Sequence, residues 1–309
     1  MRKSSRLIAL TLLLLASAAV ASPPPIRTPH FVVSYSQGDE ADAKRVAQYA
    51  EFAFERVSRD LGFAPAPYDR SIPITVYTTR PEFEAGGGVD RRRTVVGRAW
   101  SGTDRIDIDA SGAYAVAELV TAHEVTHIIT ARLLGQNARA LPLWANEGIA
   151  RSESGEANVS DDEIVGQAIA DGDYIPFGNI ESEFPTDSRG AGIAYAESTS
   201  FIRYIVGLRG KDALRRILGR VADGEDFDHA VIDVIGRSVG GMEKDWKRSV
   251  AKTYAGNWLF RNSATVIGIA MVLLCLAAYA AVKRKQRRHS IEWAEDEYDD
   301  GLDYGPPPE

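Results

Sequence analysis

Three features of the 309-residue chain predict an α+β fold with a mixed N-terminal lobe, a mostly helical C-terminal lobe and one transmembrane helix. Short strand-like runs surround one long amphipathic segment in the first third. Helical periodicity takes over from about Ala113, and an apolar run of 19 residues covers Ala264 to Val282. Within the first of the later helices lies Thr121-Ala122-His123-Glu124-Val125-Thr126-His127, an H-E-x-x-H pattern.

Taken in order, Arg2, Lys3 and Arg6 precede an apolar run from Leu7 to Leu15, and Ala19-Val20-Ala21 forms a small-x-small cleavage site before Ser22. Residues 1–21 therefore read as a cleaved secretory signal. The competing reading is an uncleaved anchor, for which the run is short. Residues 22–262 form one extracytoplasmic domain, long enough for a substantial core. Its first strand is His30–Tyr35. A helix from Asp39 to Leu61 follows, with Val46, Ala50, Phe52, Ala53 and Val57 on a common side and Gly62 as the stop. The strand Ser71–Tyr77 contains Pro73, which marks an edge strand or a strand start. Gly86–Gly88 and Arg91–Arg93 make a loop whose charges read as solvated surface, with a grip on an anionic substrate as the alternative. Strands Val95–Trp100 and Arg105–Asp109 then flank the Ser101-Gly102 turn.

The next helix is expected from Ala113 to Leu134. His123 and His127 are one turn apart on one face, so both imidazoles can reach the same ion. Glu124 sits about 100° around the helix from His123, able to address a water on that ion but poorly placed to bind it, which makes it the expected general base. A hydrolytic zinc site needs a third protein ligand from another element. Glu147 supplies one, 20 residues past His127 in the segment Leu143–Ala150. Helix-stop residues at Leu134-Gly135-Gln136-Asn137 and a restart at Leu141-Pro142 let the chain fold back. The competing reading, a solvated polar stripe, requires no such partner.

H-E-x-x-H followed at this distance by N-E-G-x-A resembles the gluzincin branch of the peptidase MA metallopeptidases, which includes thermolysin and the large zinc aminopeptidases. The resemblance rests on about 30 residues. It implies a zincin-like catalytic core, one zinc ion held by His123, His127 and Glu147, a water activated by Glu124, and a peptide or protein substrate. Two departures accompany it. Thermolysin-like enzymes have an Asp four residues after the glutamate ligand to orient a histidine, where this chain has Arg151, so the surroundings of the ligands are built differently. The aminopeptidases have a G-x-M-E-N strand; the nearest segment here, Val95-Val96-Gly97-Arg98-Ala99-Trp100, lacks the glutamate, which favours an endopeptidase. Two other classes stand beside this one, a non-catalytic metal-binding envelope scaffold and a metallohydrolase of a non-peptide amide or ester.

Beyond the second helix, residues 151–173 read as a polar excursion in which Asp161 and Asp162 are solvated rather than calcium-binding. The helix around Ala194–Tyr204 offers Tyr195 as a donor to a developing oxyanion, with an aromatic packing on the core as the equal alternative. Glu197 reads as a surface carboxylate, its alternative being to orient a metal-bound histidine. His229 reads as exposed, with a second donor as the alternative. Helices at Lys211–Ala222, Asp226–Ile235 and Met242–Ala255 complete the domain.

Residues 263–282 then form a transmembrane helix. Trp258 and Phe260 suit its near interface, and Lys283, Arg284, Lys285, Arg287 and Arg288 place its far end in the cytoplasm. Residues 283–309, basic and then acidic, are expected to be disordered. The expected location is thus the cell membrane, single-pass, with the folded domain outside and near the bilayer. The net charge of -7 falls on the extracytoplasmic domain, because the +3 of the leader and the -3 of the tail cancel, and it excludes a nucleic-acid partner. Cys275, the only cysteine, lies in the membrane segment, so there is no disulfide framework.

Overall fold

The structure, a computed structural model, describes residues 23–36, 38–65, 70–86, 95–256 and 262–299. The signal over residues 1–21, the Arg91–Arg93 run and the interfacial Trp258 and Phe260 lie outside them. The chain divides into two compact units, Met1–Lys247 and Arg248–Glu309.

In the first unit a five-stranded sheet has the order β1-β2-β3-β5-β4, from β1 (Ile26–Arg27), β2 (Phe31–Ser34), β3 (Ile72–Tyr77), β4 (Gly97–Trp100) and β5 (Arg105–Asp109). The three inner strands are parallel and both outer pairs antiparallel, which leaves β4 at an edge. Alternation puts Phe31, Val33, Ile72, Ile74, Val76, Ile106 and Ile108 in the core. Helix α1 (Glu40–Leu61) covers β2 and packs on α3 (Tyr114–Leu134), which in turn contacts β4 and β5. A short helix, α2 (Arg80–Gly86), that the sequence reading did not anticipate anchors itself by burying Phe83 edge-on against Tyr77.

One sequence expectation changes in this lobe, and one open alternative is decided. Phe52 is 65% exposed, while Phe54 is buried. On a helix Phe54 lies four residues from Ala50 and three from Val57, on their face, whereas Phe52 is about 200° from Ala50. Of the two places that Pro73 allows, the structure takes the strand start, because Pro73 is the second residue of β3, an inner strand. The proline pairs with Val32 on one side, but pairing with β5 begins only at Ile74, so its missing N–H falls before that ladder.

From α3 onward the first unit is helical. A 3-10 turn over Gly135–Ala140 leads into α4 (Leu143–Ser154), followed by α5 (Val159–Asp171), α6 (Ser188–Arg209), α7 (Lys211–Ala222), α8 (Phe227–Ile235) and α9 (Val239–Gly256), whose residues from Arg248 on belong to the second unit. The acidic stretch expected as a solvated excursion is the helix α5. Asn158 and Asp161 close a reciprocal capping box at its start, and Asp161 is buried. Trp144 of α4 sits among Phe177, Phe201 and Phe227, with Trp246 closing the cluster through Phe177 and Phe201. This aromatic core fixes α4 from the side of α6, α8 and α9.

In the second unit, the segment Ser263–Arg287 is long and apolar enough to cross a membrane. The helix containing it, α10 (Ser263–Asp299), does not stop at Val282 and a disordered tail, because Lys, Arg, Gln, Ala and Glu are good helix formers and carry it onward.

Close approach of α4 to α6 depends on Gly148. A Cβ there would lie 2.5 Å from the Ser198 carbonyl oxygen and 2.7 Å from Ile202 Cγ1. Gly148→Ala is therefore expected to destabilise the domain by about 1–3 kcal/mol through overpacking. A thermal midpoint of the full chain within a degree of the parent would contradict this.

Candidate metal centre

The two histidines of α3 and the glutamate of α4 meet where these helices pack. His123 Nε2 and His127 Nε2 are 3.0 Å apart. Glu147 Oε2 lies 3.4 Å from His123 Nε2, and its Oε1 lies 3.7 Å from His127 Nε2. One ligand atom from each of the three residues falls within 4.8 Å of the others, making them a group that could hold a metal ion. The donor set can be tested against zinc. Bonds of 2.0–2.1 Å in a tetrahedron put neighbouring ligand atoms roughly 3.3 Å apart, and the 3.0 Å between the imidazole nitrogens, with a different Glu147 oxygen 3.4 and 3.7 Å from each, leaves a small adjustment of the carboxylate to reach that arrangement. Two nitrogens and a carboxylate also match its ligand chemistry.

The electrostatics favour a positive charge at the same point. Burial opposes charge on His123, but Glu147 and Glu156 outweigh it and push the imidazole up to about 10. His127, more deeply enclosed, is held below its ordinary value by burial. Burial also pushes Glu147 up, yet His127, His123 and Arg151 overcome it and hold the carboxyl low. A carboxylate thus faces two imidazoles, one of which takes a proton that a cation could replace.

Glu124 occupies a different niche. It is buried, it accepts a backbone hydrogen bond from Ala99 of β4, and burial with Glu147 nearby pushes it up to about 7, against the pull of His123. Gly97 of the same strand makes this seating possible. A Cβ at that position would stand 2.4 Å from Val120 Cγ1 and 2.8 Å from Glu124 Oε1.

The structure brings together His123, Glu124, His127 and Glu147. Tyr195 is outside the three-ligand cluster; its ring lies edge-on to Phe184 at 4.9 Å, with the Arg151 guanidinium 5.8 Å from its centroid. His229 is exposed on α8. A residue that sequence reasoning missed is Glu156, whose Oε1 is 3.2 Å from His123 Nδ1. Gly155 ends α4 at φ 86°, turning the chain so that the next residue points back toward the histidine. The signal was present in Arg151, a cation where a carboxylate was expected and hence a mark of an acidic partner.

A sequence profile described as the Peptidase MA superfamily matches residues 58–252, more than half of the chain and all four of the clustered residues. No curated protein matches the chain.

Glu197, read as a surface carboxylate or a histidine-orienting one, is neither. It is fully buried in α6, where its Oε1 accepts a hydrogen bond from Ile175 N–H at 3.0 Å and its Oε2 has no hydrogen-bond partner among the described residues. Burial pushes its carboxyl up to about 8; the Ile175 N–H pulls it down in part, and Glu243 adds to the rise. The folded state then keeps a proton that the unfolded state loses near its ordinary value of 4.5, so stability falls as pH rises from about 4.5 to about 8. Glu197→Gln removes this slope. Between pH 5 and 8 the parent is expected to lose on the order of a few kcal/mol relative to the variant, and parallel stability curves in denaturant titrations would contradict it.

Proposed function

Since the chain belongs to the peptidase MA superfamily and carries a peptidase-like domain, we propose that it is a membrane-anchored zinc metallopeptidase of the gluzincin type, acting on peptide bonds as an endopeptidase. The observation that carries this reading is the convergence of His123, His127 and Glu147 with a buried carboxylate, Glu124, beside them.

In this proposal His123 Nε2, His127 Nε2 and a Glu147 oxygen hold the zinc ion. Zinc, when bound, supplies a Lewis acid that polarises the scissile carbonyl and acidifies water. Glu124 takes the proton from the attacking water and passes it to the leaving amide nitrogen. A carboxyl raised to about 7 suits both halves of that transfer near neutral pH. The Ala99 amide and the close approach allowed by Gly97 hold the carboxyl in place. Tyr195, on the side of Arg151, is the proposed donor to the developing oxyanion. Edge strand β4 forms the adjoining wall, with Arg98 stacked 4.2 Å over Trp100.

Placement follows the same order. Residues 1–21 are proposed as a cleaved signal and residues 22–262 as the extracytoplasmic catalytic domain. Residues 263–282 cross the membrane once, with the C-terminus cytoplasmic; support comes from the apolar segment of α10 and the five basic residues that follow Val282. Peptides and membrane-proximal proteins are the substrates that such tethering favours.

The test is zinc content and proteolysis of the purified full chain. One zinc per chain is expected, weakened by Glu147→Ala and retained by Glu124→Gln, with Glu124→Gln losing turnover on a denatured protein mixture by about 10²-fold or more. Zinc absent from the folded parent after supplementation would overturn the reading. Hydrolysis of small amides with no peptide bond cut would redirect it to a non-peptide metallohydrolase.

A further inference from the structure

A fifth polar side chain beside the four clustered ones, Glu156, is not explained by binding an ion or moving a proton. Glu156 presents one oxygen to His123 Nδ1 at 3.2 Å and the other, Oε2, to Arg151 Nη1 at 3.1 Å, so both carboxyl oxygens are engaged. The contact with Nδ1 is an ion-pair approach rather than a straight hydrogen bond, since no acceptor lies in line with that nitrogen. Arg151 is itself held from two further elements. Its Nε donates to Thr199 Oγ1 of α6 at 2.8 Å, and its Nη2 donates to Asp161 Oδ1 of α5 at 3.1 Å. Asp161 is buried, and its second oxygen accepts the Asn158 N–H at 3.0 Å. A chain of contacts from α5 and α6 therefore ends on a single imidazole edge. His127 Nδ1 likewise has no hydrogen-bond partner among the described residues, but its ion pair with Glu147 runs through Nε2, whereas His123 meets Glu156 at Nδ1.

We propose that Glu156, clamped by Arg151, is the positioning residue for His123, fixing the ring so that Nδ1 faces the carboxylate and the Nε2 lone pair faces the point shared with His127 and Glu147. This rests on the reading of His123 as a zinc ligand. A carboxylate behind a ligating imidazole sets its tautomer and orientation and raises its basicity. Arg151 does two things for that carboxylate. It neutralises a third acidic group beside Glu124 and Glu147, and it stops the side chain from turning inward to compete for the ion. A guanidinium suits this task because its planar fork serves Thr199, Glu156 and Asp161 at once.

The experiment is zinc affinity of the full chain in detergent, stripped of metal and titrated in competition with a chromophoric chelator. The variants are Glu156→Ala, the nearly isosteric Glu156→Gln, Arg151→Met and Glu147→Ala. Thermal midpoints of the metal-free proteins and the visible spectra of the cobalt(II)-loaded ones are read alongside. Glu156→Ala is expected to raise the zinc Kd about 10- to 100-fold and to shift the cobalt bands, with the metal-free midpoint close to that of the parent. Glu156→Gln keeps an acceptor oxygen and loses the charge, so its loss is smaller, and Arg151→Met falls between it and the parent. If Glu156→Ala does not fold, Glu156→Gln decides. A Kd within twofold of the parent in the folded Glu156 variants, or a loss that only tracks a fall in the metal-free midpoint, overturns the positioning role. Where Glu147→Ala still weakens binding in those cases, the ligand set stands. Absence of zinc from the parent overturns the ligand set itself.

Discussion

Two imidazoles and a carboxylate from α3 and α4 lie within 4.8 Å of one another in a site mostly closed to water. Polar groups held this tightly, with a second carboxylate at 7% exposure beside them, repel or desolvate one another unless a charge and rigid walls compensate. Much of the remaining architecture can be understood as meeting that demand. The histidine helix is pinned on one side by α1 and the sheet and on the other by α4. Helix α4 is pinned in turn by the aromatic cluster around Trp144 and by the backbone of α6, which Gly148 allows to come close.

Charge is managed in shells around this centre. Arg151 lies next to Glu147 and Glu156 without entering the ligand cluster, and it spends its remaining donors on Thr199 and Asp161. At the far end of α4, Glu153 is buried against Arg56 of α1, bonding through its backbone carbonyl as well as its carboxylate, while Lys211 of α7 approaches at 3.6 Å. Both ends of α4 are thus tied to different helices, and the ligand between them has little freedom to drift. Such fixation matters more than the net strength of any ion pair, because a partly exposed pair contributes little to stability while a buried and fully bonded one fixes geometry.

Glu197 illustrates the opposite case, a buried carboxyl with one unpartnered oxygen. It stays neutral over the ordinary pH range by holding its proton, and the neighbouring Tyr174–Glu243 hydrogen bond shares the same pocket of helices. Its cost is a pH-dependent weakness in the helical half rather than a role at the ligand cluster.

Local periodicity made a good part of this protein legible from its sequence. The turn spacing of His123 and His127, the restart at Pro142 that returns Glu147, the Gly62 stop of α1 and the length of the apolar run before Lys283 are all properties of neighbours in the chain, and residue type with spacing is enough to read them. The tertiary structure alone decided which carboxylate stands behind His123, because Glu156 reaches it only after the left-handed turn at Gly155. It also decided why Gly97 and Gly148 lack side chains, since the obstructing atoms come from helices far along the chain. The choice of Phe54 over Phe52 follows from helical spacing alone, whereas the inner-strand place of Pro73 and the burial of Glu197 belong to the same class as the two glycines. Each depends on which surfaces close over a residue once distant segments pack, and no pattern of adjacent residues encodes that.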